Sequence, residues 1–480
     1  MTAGPVFPEG WEPRLTAEDF SERWLRSPAG ALLARPWFDR AALWMLGRWF
    51  FPLSRLWAAA RAANGSILRF YEEVPMEPIP GIGAPLRKTL DRFETAREAV
   101  NATEGRWRQV FFGETGTELY RLVAIEAARR DRRNAYNATR RHFSYLRRRQ
   151  RIPPVRWDVP EPDEVEADYG AWLADPAGAF VPQHPFPEVF ESQRVPGPVG
   201  QEYWLRFRSP SPVMNDDVFA RVYEPVGVDD PPTLVFGHGI CVEFDHWHGL
   251  VDEVFLMCQM GIRVIRPEAP WHGRRVPDGR YGGEMFVARA PRGALDMFSA
   301  QLGEWPVLID WSRRTSRGPV AVGGSSLGAL LSQLLAVKAT AWPASLQPDV
   351  LFLVTHCGRH EDAAQRGRLA EIWGLPEAVA RRGWTEELLG RWLPLLDPRD
   401  GPPAVAPENI VTVLGSLDTV TPFATGKELI DEWRVPEKNR FIWRRGHFSV
   451  PLRMMRDRAP LERLKERLES IGAGGGPGRT

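Results

Sequence analysis

The sequence has little of what marks several classes of protein. Its 480 residues include only three cysteines, Cys241, Cys258 and Cys357, which are too few for a disulfide framework and lack the spacing of metal ligands. No apolar run reaches the roughly eighteen residues of a membrane-spanning helix. The formal net charge is +1, so no overall excess of basic residues draws the chain to nucleic acid. With 43% hydrophobic residues, a chain of this length can bury a large core.

The start of the sequence also lacks the pattern of a secretory signal. Residues 1–5 read Met-Thr-Ala-Gly-Pro, without a basic cluster followed by an apolar run. Few cysteines fit a reducing compartment. We therefore expect a cytoplasmic protein.

Differences in composition divide the chain into segments, and we find no internal repeat. Residues 1–152 are predicted to be mostly helical and are a candidate cap over an active site. Residues 153–200 hold ten prolines and are predicted to form an extended connector. Across residues 201–471, short β-branched runs alternate with amphipathic helical patterns, which is typical of a mostly parallel sheet flanked by helices. Within this α/β unit, residues 357–407 are interpreted as a short helical insertion, and residues 472–480 as a disordered glycine-rich tail.

A serine lies between a predicted strand and a predicted helix. The run Val320-Ala-Val-Gly leads into Gly324-Ser-Ser326-Leu-Gly328, and leucines at helical spacing follow. A G-x-S-x-G pattern in this context is a nucleophile elbow, a tight turn that presents the serine hydroxyl at a helix N-terminus. Ser326 is therefore the candidate nucleophile. Its neighbour Ser325 is off register for the elbow and is interpreted as a packing residue.

A serine nucleophile needs a base, and the base needs an acid that orients it. The predicted strand 410–414 ends shortly before Asp418, and the predicted strand 441–443 ends shortly before His447. The chain order serine, aspartate, histidine is the order that this architecture requires. We predict Asp418 as the acid and His447 as the base. The alternatives are a helix-capping aspartate and a structural histidine.

The oxyanion of a tetrahedral intermediate needs backbone N–H donors. One donor is expected from Leu327, directly after the nucleophile. The second is expected from the loop after the predicted strand 233–236, where the N–H of Ile240 is favoured and that of Gly239 is the alternate. The glycines of this loop leave the backbone open to a substrate.

With these motifs the chain resembles the α/β-hydrolase superfamily, and most of all its esterase and dienelactone-hydrolase-like branch. The resemblance covers about residues 201–470 and is carried by Gly237-His238-Gly239, the elbow, the segment from Gly415 to Asp418, and Gly446-His447. It implies an α/β-hydrolase fold with an N-terminal helical region and a Ser326, His447 and Asp418 triad. The layout is also similar to that of bacterial enzymes with an N-terminal helical cap, some of which cleave carbon–carbon bonds.

The commonest reaction of such a triad is cleavage of a carboxylic ester through an acyl-enzyme. We therefore predict a serine hydrolase acting on a small-molecule ester or a related carbonyl compound, without metal or organic cofactor. Two alternatives stay open: a carbon–carbon bond hydrolase with the same residues, and a catalytically silent binding or membrane-associated protein. The sequence does not indicate an oligomeric state.

Some residues are candidates for contact with the substrate: His238, His272, Trp373 and Trp384. Because His272 precedes the elbow in a loop rich in turn-forming residues, substrate contact or loop structure is a better interpretation than a second base. His246 and His248 lie two residues apart on a predicted helix, where their side chains point to different sides, so no metal site is predicted.

Residues 40–60 are apolar on nearly all sides of a predicted helix. The polar stripe consists of Arg40, Arg48 and Arg55, and Pro52 is expected to kink the helix. Such a helix is either buried against the core or lies in a membrane interface. We favour burial.

Residues 129–156 hold eleven arginines and a single aspartate. A solvated basic helix is the favoured interpretation, and anionic lipid, an acidic substrate or an acidic partner are the alternatives. The interleaved aromatic residues are too few to favour nucleic acid.

Overall fold

The structure, a computed structural model, describes residues 27, 30, 35–74, 76–77, 79–241 and 253–473. The segment with His246 and His248 lies outside the described residues, as does most of the predicted tail, from residue 474 onward.

A mixed sheet forms the centre of the described chain. Its strands are β1 Phe190–Glu191, β2 Val195–Pro196, β3 Gly200–Arg208, β4 Asp217–Pro225, β5 Thr233–Gly237, β6 Arg263–Pro267, β7 Val320–Ser325, β8 Val350–Val354, β9 Ile410–Gly415 and β10 Arg440–Trp443. The order across the sheet is β1-β3-β4-β6-β5-β7-β8-β9-β10, with β2 paired to β3. Pairs from β6 through β10 are parallel, whereas β1 to β4 add to the edge in antiparallel fashion. This confirms the predicted mostly parallel sheet.

The central strands are buried on both faces. All residues of β5, β8 and β9 are buried, as continuous apolar runs in a parallel sheet require when helices cover both sides. Besides the N-terminal helices and those between β8 and β9, the helices are α7 Pro162–Tyr169, α8 Glu253–Gln259, α9 Glu284–Ala288, α10 Arg292–Thr315, α11 Leu327–Lys338, α17 Phe423–Glu432, α18 Ser449–Met454 and α19 Ala459–Ala473. Since α7 interrupts the proline-rich segment, that segment is not extended throughout.

A group of short helices separates β8 from β9. They are α12 His360–Arg366, α13 Arg368–Trp373, α14 Leu375–Ala380, α15 Glu386–Gly390 and α16 Leu393–Leu396. The predicted helical insertion before the acid-bearing strand is therefore confirmed. Below, α12 to α16 are called the insertion helices.

The predicted N-terminal helical region is also confirmed. Its helices are α1 Pro36–Met45, α2 Phe51–Ala63, α3 Ile67–Glu73, α4 Gly83–Gly113, α5 Leu119–Ala138 and α6 Ser144–Arg149. A π-helical turn, Leu46–Phe50, joins α1 to α2. Pro52, which has no N–H to donate, is the second residue of α2 and directly follows this π-helical turn.

Helix α2 is buried against the α/β unit, as favoured from the sequence. Most of its residues are buried, and the guanidinium of Arg55 donates to the Glu284 carboxylate at 2.9 and 3.0 Å and to the Gly279 carbonyl at 2.7 Å. Arg55 is therefore an internal ion-pair partner rather than part of a solvent-facing stripe. The end of α1 is less buried than α2, because the side chains of Trp44 and Met45 are exposed.

Three of the eleven arginines in residues 129–156, the segment interpreted as a solvated basic helix, are buried, whereas the other eight are exposed or half-buried. Arg129 is buried, pairs with Glu126 at 2.8 Å and lies 5.0 Å from the ring centroid of Trp107. Arg140 and Arg147 are also buried, each against a tryptophan ring at 4.3 and 3.9 Å. A guanidinium tolerates burial when an aromatic face or a carboxylate compensates its charge.

Candidate active site

The nucleophile elbow is built by close packing between β5, β7 and α11. Ser326 adopts φ 58° and ψ −117°, a conformation that a residue with a side chain rarely takes unless its surroundings impose it. A Cβ on Gly328 would lie 2.2 Å from the Gly237 carbonyl oxygen, and one on Gly324 would lie 2.3 Å from the Gly328 carbonyl carbon. Only glycine fits at both positions. The turn between them therefore projects Ser326 at the carboxyl edge of the sheet.

Three side chains from distant parts of the chain meet at this edge. The Ser326 Oγ lies 2.9 Å from the His447 Nε2, and the His447 Nδ1 lies 2.8 Å from the Asp418 Oδ2. All three residues are buried. Asp418 follows β9 and His447 follows β10, so the parallel strands deliver both to the same edge as the elbow.

The Asp418 carboxylate is fixed by its own loop. Its Oδ1 accepts the N–H groups of Val420 at 2.8 Å and Thr421 at 3.0 Å, and its Oδ2 accepts the Thr421 hydroxyl at 2.8 Å. The same Oδ2 faces the His447 Nδ1, which then carries the proton. The His447 Nε2 is left as an acceptor toward Ser326. This is the arrangement in which an imidazole can remove a hydroxyl proton.

The loop after β5 lies beside Ser326. Gly237 is in register with Gly324 of β7, and Ile240 and Leu327 both border the same cavity as Ser326. Leu327 begins α11, so its N–H is among those that lack an acceptor within the helix. The two predicted oxyanion donors, Ile240 and Leu327, thus flank one space next to Ser326, with Gly239 directly before Ile240.

Two buried histidines hold this loop from behind. The His238 Nδ1 bonds the Gly239 carbonyl at 2.7 Å, and its Nε2 accepts the N–H of Ala269 at 3.3 Å. The His272 Nε2 accepts the N–H of Cys241 at 3.2 Å, and its Nδ1 bonds the carbonyl of residue 270 at 2.9 Å. Burial lowers the pKa of His238 well below its usual value, which favours the neutral ring that these bonds require. His238 therefore holds the backbone just before Ile240, and His272 holds the backbone just after it.

An apolar cavity of about 140 Å³ opens beside Ser326. Its walls come from the α9–α10 region, from α11 and from the insertion helices. They include Phe286, Leu330, His360, Trp373, Val379 and Trp392. Of the four residues predicted to contact substrate, Trp373 lines this cavity. His238, His272 and Trp384 are not among its lining residues, and the Trp384 Nε1 instead donates to the Pro160 carbonyl at 2.8 Å.

Sequence reasoning missed His360, the most polar ring of the cavity wall. It lies edge-on to Phe286 and Phe298, with ring centroids 5.6 and 5.3 Å apart. Burial lowers the pKa of His360 to about 4, so the ring is neutral near pH 7. Next to it, burial raises the pKa of Glu361. No local pattern marks either residue, because the aromatic partners come from α9 and α10.

The N-terminal helices contact the outside of this wall. The ring of Phe51 in α2 lies 5.2 Å from that of Trp373, and Ile372 packs against Gly47. Among the described residues, the cavity lining includes none from α1 to α6. The insertion helices therefore separate the N-terminal region from the cavity.

In the described part of the chain no three His, Cys, Asp or Glu side chains converge as metal ligands do. None of the described helices combines the length and apolarity needed to cross a membrane.

Comparisons with known proteins give structural similarity only. No protein-family model and no curated protein matches the sequence. Similar solved structures include a cold-adapted esterase from an Arctic intertidal metagenomic library, at 16% identity and a TM-score of 0.36 over 56% of this chain and 94% of that one. An S-formylglutathione hydrolase from Agrobacterium tumefaciens has 16% identity and a TM-score of 0.40 over 57% and 98%. Acetyl xylan esterase 1 from Thermoanaerobacterium sp. has 16% identity and a TM-score of 0.39 over 62% and 96%.

The class of the protein follows from its own topology. The sheet is mostly parallel, and β5 and β8 lie on either side of β7, the strand that leads into the elbow. The loops after β9 and β10 bring Asp418 and His447 to Ser326. This arrangement is the α/β-hydrolase fold. The chain has this fold, as its motifs predict.

Proposed function

We propose that the chain is a serine hydrolase that cleaves a carboxylic ester. The observation that carries this proposal is the chain of two hydrogen bonds from Ser326 through His447 to Asp418, beside an apolar cavity. Roles are assigned accordingly: Ser326 is the nucleophile, His447 the general base and Asp418 the acid that orients it.

The reaction then proceeds in two halves. His447 takes the Ser326 proton at Nε2 as the oxygen attacks the ester carbonyl carbon, and Asp418 stabilises the imidazolium that forms. The N–H groups of Leu327 and Ile240 donate to the oxyanion. Collapse of the intermediate expels the alcohol, which takes the proton from His447, and leaves an acyl group on Ser326. Water repeats the sequence and releases the acid.

The cavity favours an apolar acyl group of modest size. Its volume of about 140 Å³ is close to that of an engineered protein cavity of roughly 150 Å³ that holds benzene. Its lining is mostly aliphatic and aromatic, and its polar side chains are those of Ser326, the neutral His360, Glu361, Gln365 and Thr421. We therefore propose acyl groups of about four to eight carbons, or a single ring, as the preferred substrates.

A panel of p-nitrophenyl esters from acetate to laurate tests this proposal. We expect kcat/KM to be greatest for butyrate to octanoate. Ser326→Ala should abolish turnover, whereas Ser325→Ala is a matched control that should keep it. Ser325 lies one residue away, and its hydroxyl is 3.4 Å from that of Thr355 rather than at His447.

Two results would contradict the proposal. Hydrolysis by Ser326→Ala at the native rate would show that Ser326 is not the nucleophile. A reactive Ser326 with no turnover of any ester would instead favour the carbon–carbon bond hydrolase that uses the same residues.

The cytoplasmic location and the small-molecule partner rest on the sequence and on this proposed reaction. The insertion helices, which form one wall of the cavity, are proposed as the part of the chain that covers the substrate. The N-terminal helices, which the sequence makes a candidate cap, contact that wall from outside.

A further inference from the structure

A carboxylate from the N-terminal region bonds the loop that carries His447. The Asp39 Oδ1, on α1, accepts the N–H of Phe448 at 2.7 Å and that of Ser449 at 3.1 Å. The Asp39 Oδ2 accepts the Ser449 hydroxyl at 2.6 Å. Asp39 is buried, and 409 positions along the chain separate it from Phe448.

The same carboxylate also lies against the residue before His447. A Cβ on Gly446 would be 2.4 Å from the Asp39 Cγ, so the two are in direct contact and only glycine fits there. The Gly446 N–H donates to the Ser449 Oγ at 3.0 Å, and that hydroxyl is the one bonded to Asp39. The backbone is thus held against Asp39 immediately before and immediately after His447.

Helix α18 depends on this contact for its N-terminal cap. The first N–H groups of a helix have no acceptor within it, and a side chain just before the helix usually supplies one. Here the preceding residue is Phe448, which makes no such bond. Asp39, which lies on α1, instead accepts N–H groups at the start of α18, and its negative charge is favourable at a helix N-terminus.

We propose that Asp39 is a positioning residue for His447, so that the helical N-terminal region is part of the catalytic apparatus. This inference rests on the proposed function. The bonds of His447 to Ser326 and Asp418, at 2.9 and 2.8 Å, exist only while the His447 backbone stays in place. Asp39 accepts three of the hydrogen bonds that hold it there. A misplacement of about 1 Å in such a site can cost about 100-fold in rate.

Two variants of Asp39 and one control test the proposal. Asp39→Ala removes the three bonds, whereas Asp39→Asn keeps an oxygen for the two N–H groups. The control is Asp349→Ala. Asp349 accepts the N–H of Val320 at 2.7 Å and pairs with Arg313, which is the same kind of contact at the opposite end of the nucleophile strand.

The measurements are kcat and KM for p-nitrophenyl butyrate, the rate of Ser326 phosphonylation by a fluorophosphonate, and the melting temperature of each variant. We expect Asp39→Ala to lower kcat and the phosphonylation rate by about 100-fold with little change in KM. Asp39→Asn should recover activity to within about tenfold of the native chain, since neutral hydrogen bonds are roughly half as strong. Asp349→Ala should lower the melting temperature and leave kcat unchanged.

The outcomes separate this inference from the proposed function. A native chain that is not phosphonylated on Ser326 would overturn the proposed function, and this inference with it. If the native chain is phosphonylated on Ser326, two results would overturn only the positioning role. One is a folded Asp39→Ala variant with native kcat, and the other is an equal reduction of kcat in Asp39→Ala and Asp349→Ala. If Asp39→Ala does not fold, Asp39→Asn and Ser449→Ala decide. Both should lower kcat at unchanged KM, and native kcat in both would refute the inference.

Discussion

Replacement of His272 tests how the proposed oxyanion loop is held. The ring is fully buried, and its Nε2 accepts the N–H of Cys241, the residue directly after Ile240. Cys241 has φ 62°, which a residue with a side chain adopts only when other contacts hold it there. The space around the ring is tight, because a Cβ on Gly283 would lie 2.7 Å from the His272 Nε2 and 2.9 Å from the Ile240 Cγ1. His272→Ala would therefore remove the acceptor of the Cys241 N–H from a tightly packed region.

The magnitude follows from the bonds that are lost. Cys241 is half-buried, and an N–H that loses its acceptor there costs up to about 1–3 kcal/mol, which the loop can avoid by rotating Cys241 and, with it, Ile240. If Ile240 turns away, one oxyanion donor is lost, which raises the barrier by about 2.7–4 kcal/mol. The smaller figure corresponds to a fall in kcat of about 100-fold, and we expect at least that loss.

The assay compares the transition state with the ground state. A trifluoromethyl ketone forms a tetrahedral adduct on the serine and needs the same oxyanion donors, whereas KM reports mainly substrate binding. In His272→Ala, the inhibition constant of the ketone should rise about in proportion to the loss in kcat, with KM little changed. His272→Gln is the matched variant, because its amide oxygen can accept the Cys241 N–H, and it should recover most of the activity.

A folded His272→Ala chain with native kcat and native affinity for the ketone would refute this reasoning. The same holds if His272→Gln and His272→Ala lose activity equally, since the hydrogen bond to Cys241 would then be irrelevant.

Three further predictions concern stability and packing. Gly328→Ala should lower the melting temperature and abolish ester hydrolysis, because the new Cβ would lie 2.2 Å from the Gly237 carbonyl oxygen and overpacking costs about 1–3 kcal/mol or more; a native melting temperature would contradict this. Burial lowers the pKa of His356 to about 4, so the unfolded chain binds a proton below pH 6.5 that the folded chain does not, and stability falls as the pH falls through that range. Urea unfolding gives the decrease in the free energy of unfolding between pH 7.5 and pH 5.5, and this decrease should be about 1.4 kcal/mol smaller in His356→Asn than in the native chain. An equal decrease in both chains would refute the assignment. Glu284→Ala removes the carboxylate that contacts the buried Arg55 at 2.9 Å and leaves it only that of Glu73 at 3.6 Å. The free energy of unfolding should fall by about 3–5 kcal/mol, whereas a loss under about 1 kcal/mol would contradict the pairing.

The parallel strands of the sheet and the three side chains that meet at its edge could be predicted from local patterns. A run such as β8 Val350–Val354 is apolar throughout because both faces of the strand are covered, and this pattern is visible in the sequence. The motifs around Ser326 and Asp418 each follow such a run, whereas the motif around His447 follows the short edge strand β10. Parallel strands bring all three ends to one edge. The predicted strand bounds differ from the observed ones by two residues at most.

The supports of the site could not be read in this way. Asp39 acts on a loop at a sequence separation of 409, and no spacing rule connects the two segments. His360 owes its place to Phe286 and Phe298, which belong to other helices. Such contacts depend on how the elements pack, and only the strand ends are fixed by local sequence.

The burial of the arginines shows a second limit. A cluster of like charges usually indicates a solvated surface, but Arg140 and Arg147 lie against tryptophan rings at 4.3 and 3.9 Å. These rings come from the π-helical turn and α2, far from the arginines in sequence. Because a guanidinium can stack on an aromatic face, composition alone does not tell whether an arginine is exposed.

Intact-mass measurement after exposure to a fluorophosphonate, followed by peptide mapping, tests the central claim most directly. We predict one phosphonyl group per chain, located on Ser326, and none on Ser326→Ala. A native chain that gains no such group, or gains it on a residue other than Ser326, would contradict the account.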